Sequence, residues 1–422
     1  MRLRLAIGRW PASLLRRSSG ALILAWSLQA HAEGPATAPD DSREETREIA
    51  QETAPSYQVD AFVRLRYRQS WVSISPRLRS LVEQQLPDAG VSAASLRAVA
   101  DTARASDGFS PTRADVSLHV HASPALQGEV RVDWARFLDT EEVSQGVREF
   151  AGVWSPGAAL SLTAGIFAMP FSLHELFEER SFELTDEGPS HQLLEHLGYY
   201  GRDMGVMASV RPLPRADMLS IDVAATAGAA FGAQDYRGPG LLSARVNAHP
   251  VKALEVTSTV SWRPRPLDAW WEELRYRYQA YDRGAAVATN AALLFERWTL
   301  RAEWMTGKRT DSDVRVPVAL RRGDARSFAA VWMMATARVP LGSVVLVPAA
   351  RGEWLDTDRD HPDVGELIHL SFGLSLDFNQ HVRLSSELSR HLVQPGTRDW
   401  SFDVLRYQTD ATSGSLQLQL GI

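Results

Sequence analysis

Leu160-Ser-Leu-Thr-Ala-Gly-Ile-Phe167 carries an apolar side chain at every second position, breaks at Ala168-Met-Pro-Phe-Ser172, and is answered by renewed alternation in Gly201-Arg-Asp-Met-Gly-Val-Met-Ala-Ser-Val210. A period of two marks a strand whose faces look into different environments. The connection 168–200, rich in Glu, His and Pro, is longer than the ~12–15 residues usual for loops of compact soluble domains. It suits a membrane barrel, whose long loops can fold into the pore.

The same rhythm runs outward from this unit in both directions, beginning at Gln58. Upstream it recurs at 58–68, 114–121, 126–137 and 148–154. Downstream it recurs at 219–228, 242–249, 254–263, 285–293, 298–304, 328–339, 344–355, 368–378, 382–390 and 415–422. With the two runs above, sixteen strands are expected. Their connections alternate long and short. Tight turns fall at Ser123-Pro124, Ser155-Pro-Gly157, Pro250-Val251, Phe295-Glu296, Pro340–Gly342 and Asn379-Gln380, and loops such as 69–113, 168–200 and 305–327 lie between them. That wiring predicts an all-β, closed antiparallel transmembrane β-barrel over 57–422, with short periplasmic turns and long extracellular loops. Closure is required because lipid offers an exposed sheet edge no partner. Trp134, Trp262, Trp304 and Trp354 fall at the long-loop ends of strands, and Trp154 and Trp298 at the short-turn ends, as interfacial girdles do. Trp332, in mid-strand, falls outside both. The first long loop reads as two helices, 76–85 behind Ser75 and 93–105 behind Ser92.

Residues 1–32 read as a secretory signal: Arg2, Arg4, Arg9, Arg16 and Arg17 precede an apolar core at 21–26, and Ala30-His-Ala32 is a small-x-small cleavage pattern. Residues 33–56 form an acidic periplasmic N-terminal tail. No stretch supplies the ~20 apolar residues of a spanning helix. The chain has no cysteine, which excludes thiolate chemistry, and a net charge of −6, which excludes nucleic acid as a partner. Nothing in the sequence calls for a cofactor.

If the apolar set of each strand faces lipid, the alternate set faces the lumen. That places Arg64, Arg66, Arg131, Arg245, Arg301, Arg351 and Arg383 on a pore-lining anion path, interleaved with Asp115, Glu129, Asp133, Asp222, Glu255, Glu303, Glu353 and Glu387. Forked guanidinium donors match oxyanions, and Arg64 and Arg66, with no acid between them, lead the set. Pro170, Phe171, Ser172, His174, Glu175 and Glu178 belong to the constriction loop; its acids and histidines read as pore polarity rather than catalysis, since no Gly-x-Ser-x-Gly is present. His119 and His121 lack a third ligand and read as wall residues. Asp356-Thr-Asp-Arg-Asp360 opens like a calcium loop but lacks its glycine and bidentate glutamate, so no metal is assigned.

Leu162-Thr-Ala-Gly-Ile-Phe-Ala-Met-Pro-Phe-Ser-Leu-His-Glu175 resembles the Gly-x-Phe-x-x-Pro-Phe-Ser-x-Glu segment of the phosphate-selective porins O and P of Gram-negative outer membranes, with the Glu displaced by one. Gly201-Arg-Asp-Met-Gly-Val206 resembles their Arg-Asp-x-Gly-Val strand start, so Gly165, Phe167, Arg202, Asp203 and Gly205 are the motif residues. Ser415-Leu-Gln-Leu-Gln-Leu420 resembles the closing strand. The resemblance implies a sixteen-stranded barrel with its third loop, 168–200, folded into the lumen. It further implies a homotrimer handled by the outer-membrane assembly machinery and a pore passing phosphate. Two departures stand beside it: the chain ends in Ile422 where the family has Phe or Trp, and Lys252 and Lys308, its only lysines, cannot form the family's lysine clusters. The expected function is passive diffusion of small anions across an outer membrane. The alternatives are a barrel-embedded phospholipase-like hydrolase and a non-conducting structural or receptor barrel.

Overall fold

The computed structural model describes residues 55–73, 107–135, 146–172, 184–185, 188–212, 218–228, 240–264, 267–270, 278–281, 284–309, 326–357, 359–360, 366–394 and 410–421. The signal segment, the tail as far as residue 54, the two helices expected in the first loop, His174, Glu175, Glu178 and Ile422 lie outside the described residues.

The first half of the wall is β1 (Ser56–Ser73), β2 (Gly108–Ser123), β3 (Leu126–Asp133), β4 (Val147–Gly157), β5 (Leu160–Ala168), β6 (Arg202–Val210), β7 (Leu219–Thr226), β8 (Leu241–Val251) and β9 (Leu254–Arg263). A separate hairpin, β10 (Leu267–Trp270) and β11 (Tyr278–Tyr281), stands in the next loop. The wall resumes with β12 (Gly284–Leu294), β13 (Trp298–Arg309), β14 (Arg326–Ala337), β15 (Val339–Leu341), β16 (Val344–Asp356), β17 (Glu366–Asn379), β18 (Val382–Gln394) and β19 (Asp410–Gly421). β14 and β15 follow one another along a single wall strand, both paired with β16. That leaves sixteen antiparallel staves, as the alternation predicts. The sheet closes where β1 pairs β19, from Phe62↔Gly421 to Ser73↔Asp410.

Alternation in the sequence becomes alternation in space. On β9, Ser258, Val260 and Trp262 are exposed on the outer surface while Thr257, Thr259 and Ser261 are buried inward. Outward Leu, Val, Phe and Trp side chains cover the barrel on all sides, an arrangement stable only against hydrocarbon. The short turns are built from local chemistry: Gly342 takes φ 67° between β15 and β16, and Asn379 accepts a hydrogen bond from the His381 N–H at 2.8 Å.

The inner face departs from the simple expectation that only polar side chains look inward. From β12 to β17 the inward set includes Ala286, Ala288, Met305, Phe328, Ala330, Trp332, Met334, Ala349, Leu355 and Leu367, all buried. They pack against Met169, Phe171, Leu184, Leu193, Leu194, Leu197, Tyr199 and Tyr200 of the third loop. This accounts for Trp332: it belongs to an internal core, not to a girdle. The barrel therefore holds a small hydrophobic core inside a polar lumen.

Gly165 and Gly205 face each other across β5 and β6. Gly165 has φ 129°, and a Cβ there would collide with the Phe150 carbonyl; a Cβ on Gly205 would collide with that of Ala225. Gly165→Ala should destabilise the barrel by about 1–3 kcal/mol in urea unfolding from lipid vesicles. Gly152→Ala, which meets nothing within 4 Å, should leave the midpoint unchanged.

Candidate functional site

The site is the lumen at the level of the third loop, and its geometry begins where β5 stops. Met169 N–H donates to the Gly201 carbonyl at 2.9 Å, and Ser172 then takes the left-handed conformation, φ 71°, unusual for a non-glycine residue. The chain returns as α1 (Pro189–His196), with Gly188 as its N-cap and Pro at the first turn, where a missing N–H costs nothing. Gly188 sits flat on the Arg351–Glu353 pair of β16; a Cβ would overlap both side chains.

The end of α1 is satisfied by the wall. The Ser190 N–H donates to Glu353 Oε1 at 2.5 Å, placing a carboxylate at the positive helix terminus. Arg351 Nη2 bonds Glu353 Oε2 at 2.7 Å and His191 Nδ1 at 3.3 Å, and its guanidinium lies 5.1 Å from the Trp332 ring centroid. Glu303 Oε2 accepts from Trp332 Nε1 at 2.9 Å and from Ser172 Oγ at 3.0 Å; Ser172 Oγ is also 2.9 Å from His191 Nε2. Farther along, Arg263 Nη2 on β9 donates to the carbonyls of Leu197 and Gly198, at 3.0 and 3.2 Å. Thr185 donates to Glu387 Oε2 on β18 and accepts from Arg66 on β1 through its carbonyl at 3.3 Å. The loop is thus pinned from β9 round to β1.

Ser172, His191 and Glu303 have the residue types of a hydrolytic triad but not its wiring. Arginine only donates, so the neutral His191 accepts at Nδ1 and carries its proton on Nε2, toward Ser172 and Glu303. No lone pair is left to take the serine proton, and the carboxylate stands beside the serine instead of behind the imidazole. All three are sealed from solvent. The cluster anchors the loop. Burial holds the His191 imidazole below its ordinary pKa, against the partly opposing effect of Glu303.

The opposite wall is lined by charged side chains in place of the apolar set. Arg64 and Arg113 are cross-strand partners on β1 and β2, both beside the Phe62 ring at 5.4 and 6.0 Å. Arg113 is ion-paired with Asp115. Arg131 on β3 meets Glu129 at 2.7 Å and Glu149 at 3.2 Å, and Arg202, at the start of β6, reaches Glu149 at 3.4 Å. Arg245 pairs with Asp222 at 2.7 Å. Arg383 bonds Asp377 through two nitrogens, at 2.5 and 3.1 Å, in the ~640 Å³ cavity at the short-turn end, which Asp60, Arg338 and His381 also line.

Of the arginines expected along the path, Arg64, Arg131, Arg245, Arg301 and Arg383 face the lumen. Arg66 faces it too but holds the loop, and Arg351 is buried beneath α1. Pro170, Phe171 and Ser172 are buried where the loop turns in. The motif residues are structural: Gly165, Phe167 and Gly205 pack at the β5–β6 seam, and Asp203 accepts from the backbone N–H groups of Met204 and Gly228. Sequence reading missed Arg113 because it stands one residue before the alternating run 114–121, and Glu149 because the run 148–154 carries apolar side chains on both faces, Phe150 and Trp154 outward, Ala151 and Val153 inward. His119 lies between Asp60 and Glu129, at 3.5 and 3.7 Å, and no three potential metal ligands cluster among the described residues. Asp360 accepts from Ser327 N and Oγ, at 2.7 and 3.0 Å, tying its loop to β14.

No family model and no curated protein matches the chain. Solved structures share its fold. The outer-membrane channel DcaP of Acinetobacter baumannii aligns with a TM-score of 0.54 at 12% identity, over 87% of this chain and 98% of that one. An anion-selective porin from Comamonas acidovorans gives 0.54 at 11%, over 87% and 100%. OmpT of Vibrio cholerae, an outer membrane protein solved in a trimer form, gives 0.52 at 9%, over 87% and 100%. At these identities the likeness is one of fold: an outer-membrane-type β-barrel.

Because folded His191 resists protonation more than the unfolded chain does, its contribution to stability is full above pH ~6.5 and declines as pH falls toward its depressed folded value. Proteolytic clipping of the third loop in detergent-solubilised protein should therefore rise on acidification below about pH 6.5. His191→Gln, unable to titrate, should clip faster at neutral pH yet lose that acid-dependent increase.

Proposed function

We propose that the chain is an outer-membrane porin through which small anions, phosphate among them, diffuse passively, with Arg64, Arg131 and Arg202 forming the selective side of the constriction. The observation that carries this reading is the asymmetry of the lumen. The third loop is packed by an apolar core against β12–β17, while β1, β3 and β6 across the lumen carry the partly exposed guanidinium groups of Arg64, Arg131 and Arg202. A passive pore needs nothing more: a water-filled path, a rigid narrowing and a field of one sign at the narrowing. The intervening carboxylates of Asp115, Glu129 and Glu149 hold the arginines in place and weaken the field, which favours anions over cations without retaining them.

Arg245, Arg301 and Arg383 extend the anion path above and below the narrowing, while Arg66 and Arg351 act through the loop they hold. The protein reaches the outer membrane by cleavage of residues 1–32 and handling by the barrel assembly machinery, and works there as a homotrimer surrounded by lipid. The barrel-hydrolase reading loses its best residues, because Ser172 and His191 are wired as an anchor.

Reversal potentials across planar bilayers under a tenfold KCl gradient test the proposal. The wild type should favour chloride, and Arg64→Glu with Arg131→Glu should move the potential toward cations by at least about 10 mV of the ~59 mV available to a perfectly selective pore. Lys252→Gln, exposed in the short turn between β8 and β9 and away from the loop and its pins, should leave it in place. A wild type without anion preference, or one unmoved by the double substitution, contradicts the reading.

A further inference from the structure

The outward-facing positions of the strands are apolar or small almost throughout, and charged side chains of outward parity stand at strand ends, as Lys308, Asp356 and Glu366 do. Arg390 breaks the pattern. It lies within β18, four residues short of its end at Gln394, on the face shared with Leu388 and Leu392, while its neighbour Ser389 points inward and bonds Ser413 at 2.7 Å. Arg390 is exposed and has no hydrogen bond or ion pair among the described residues. A guanidinium facing hydrocarbon is tolerated only near an interface or with a counter-charge in reach.

The surroundings say what lies in reach. Arg390 is the ladder partner of Leu370 on one side and of Thr412 on the other, and Thr412 pairs in turn with Trp71. Trp71 is exposed near the long-loop end of β1, at the outer girdle, so Arg390 stands at the depth of the outer headgroups. Gly414, two residues beyond Thr412, has no side chain, and the Trp71 ring leans over it; a Cβ there would meet the ring at 3.6 Å. The result is a shelf on the outer surface of β17–β18–β19–β1: apolar below at Leu388 and Leu416, with the Thr412 hydroxyl and the Arg390 guanidinium above.

We propose that this shelf binds the phosphorylated headgroup of an outer-leaflet lipid, whose acyl chains follow the apolar wall and whose phosphate takes the forked donors of Arg390 beside Thr412. A guanidinium fits phosphate with two parallel N–H donors, and the apolar floor selects a phosphate that carries chains over a free one. The site is independent of what the lumen conducts.

The test is native mass spectrometry of the full mature barrel in detergent, titrated with bis-phosphorylated lipid A, with the same lipid lacking its phosphates, and with inorganic phosphate as competitor. Wild type should retain the phosphorylated lipid at least fivefold better than the dephosphorylated one, with inorganic phosphate unable to displace it. Arg390→Leu should abolish the difference and Arg390→Lys should keep part of it. Arg390→Gln serves if the leucine variant does not refold, and unchanged single-channel conductance shows that either variant has folded. Equal retention of the two lipids by wild type, retention unaffected by loss of the guanidinium, or displacement by inorganic phosphate would overturn the proposal. So would a variant that only dissociates from larger assemblies to monomers, which would make this face a contact between copies.

Discussion

Inside a bilayer no water is present to satisfy a backbone N–H or C=O, and each one left without a partner costs several kcal/mol. The whole chain answers to that constraint. Sixteen staves pair in sequence order, the first and last meet over twelve residue pairs, and no wall edge is left for lipid to face. Once the backbone is closed in this way, the pleat dictates the rest. Each residue must look either into hydrocarbon or into the lumen, and a strand reads as apolar and polar by turns because it is solvated by two different liquids.

The lumen then poses the opposite problem, because a polar cavity gives a long loop no reason to stay. Here the chain solves it by breaking its own rule over a third of the circumference. Inward Ala, Met, Phe and Trp side chains on β12–β17 supply an apolar floor, and the loop's own Phe, Leu and Tyr side chains close on it. Burial holds the loop down without choosing its position. Position comes from the charged pins, whose carboxylates are each satisfied by more than one donor: Glu303 by Trp332 and Ser172, Glu353 by Arg351 and the amino end of α1. Buried carboxylates so engaged are tolerated, while one stripped of its partners would be strongly destabilising.

Most of this architecture is legible in one sequence, since the period of two is a local property and the loop–turn rhythm gives the topology. Leu160–Phe167 and Gly201–Val210 lie as strands on either side of the inward loop as their alternation requires. What could not be read is whatever depends on contacts distant along the chain. The inward apolar set of β14, with Trp332 at its centre, looks like a misplaced girdle until Leu193, Leu194 and Tyr200 are laid against it. Ser172, His191 and Glu303 come from three segments and carry no motif. Arg113 stands just outside the alternating run that marks β2, and Glu149 lies on a strand with apolar side chains on both faces, so that neither announces its direction. Arg351 and Arg66 bond to the loop, and those partners, and so their part in holding it, were beyond the reach of periodicity.

The chain has no native cysteine, so single cysteines can be introduced along β17 without background. Spin labels at positions 368 to 375 in bilayer-reconstituted protein would report access to oxygen, which concentrates in hydrocarbon, and to a water-soluble nickel chelate. Oxygen access should peak at 368, 370, 372 and 374, and chelate access, low throughout that set, should appear at the inward position 373. Accessibility without a period of two, or chelate access at the outward set, would contradict a closed wall between lipid and water.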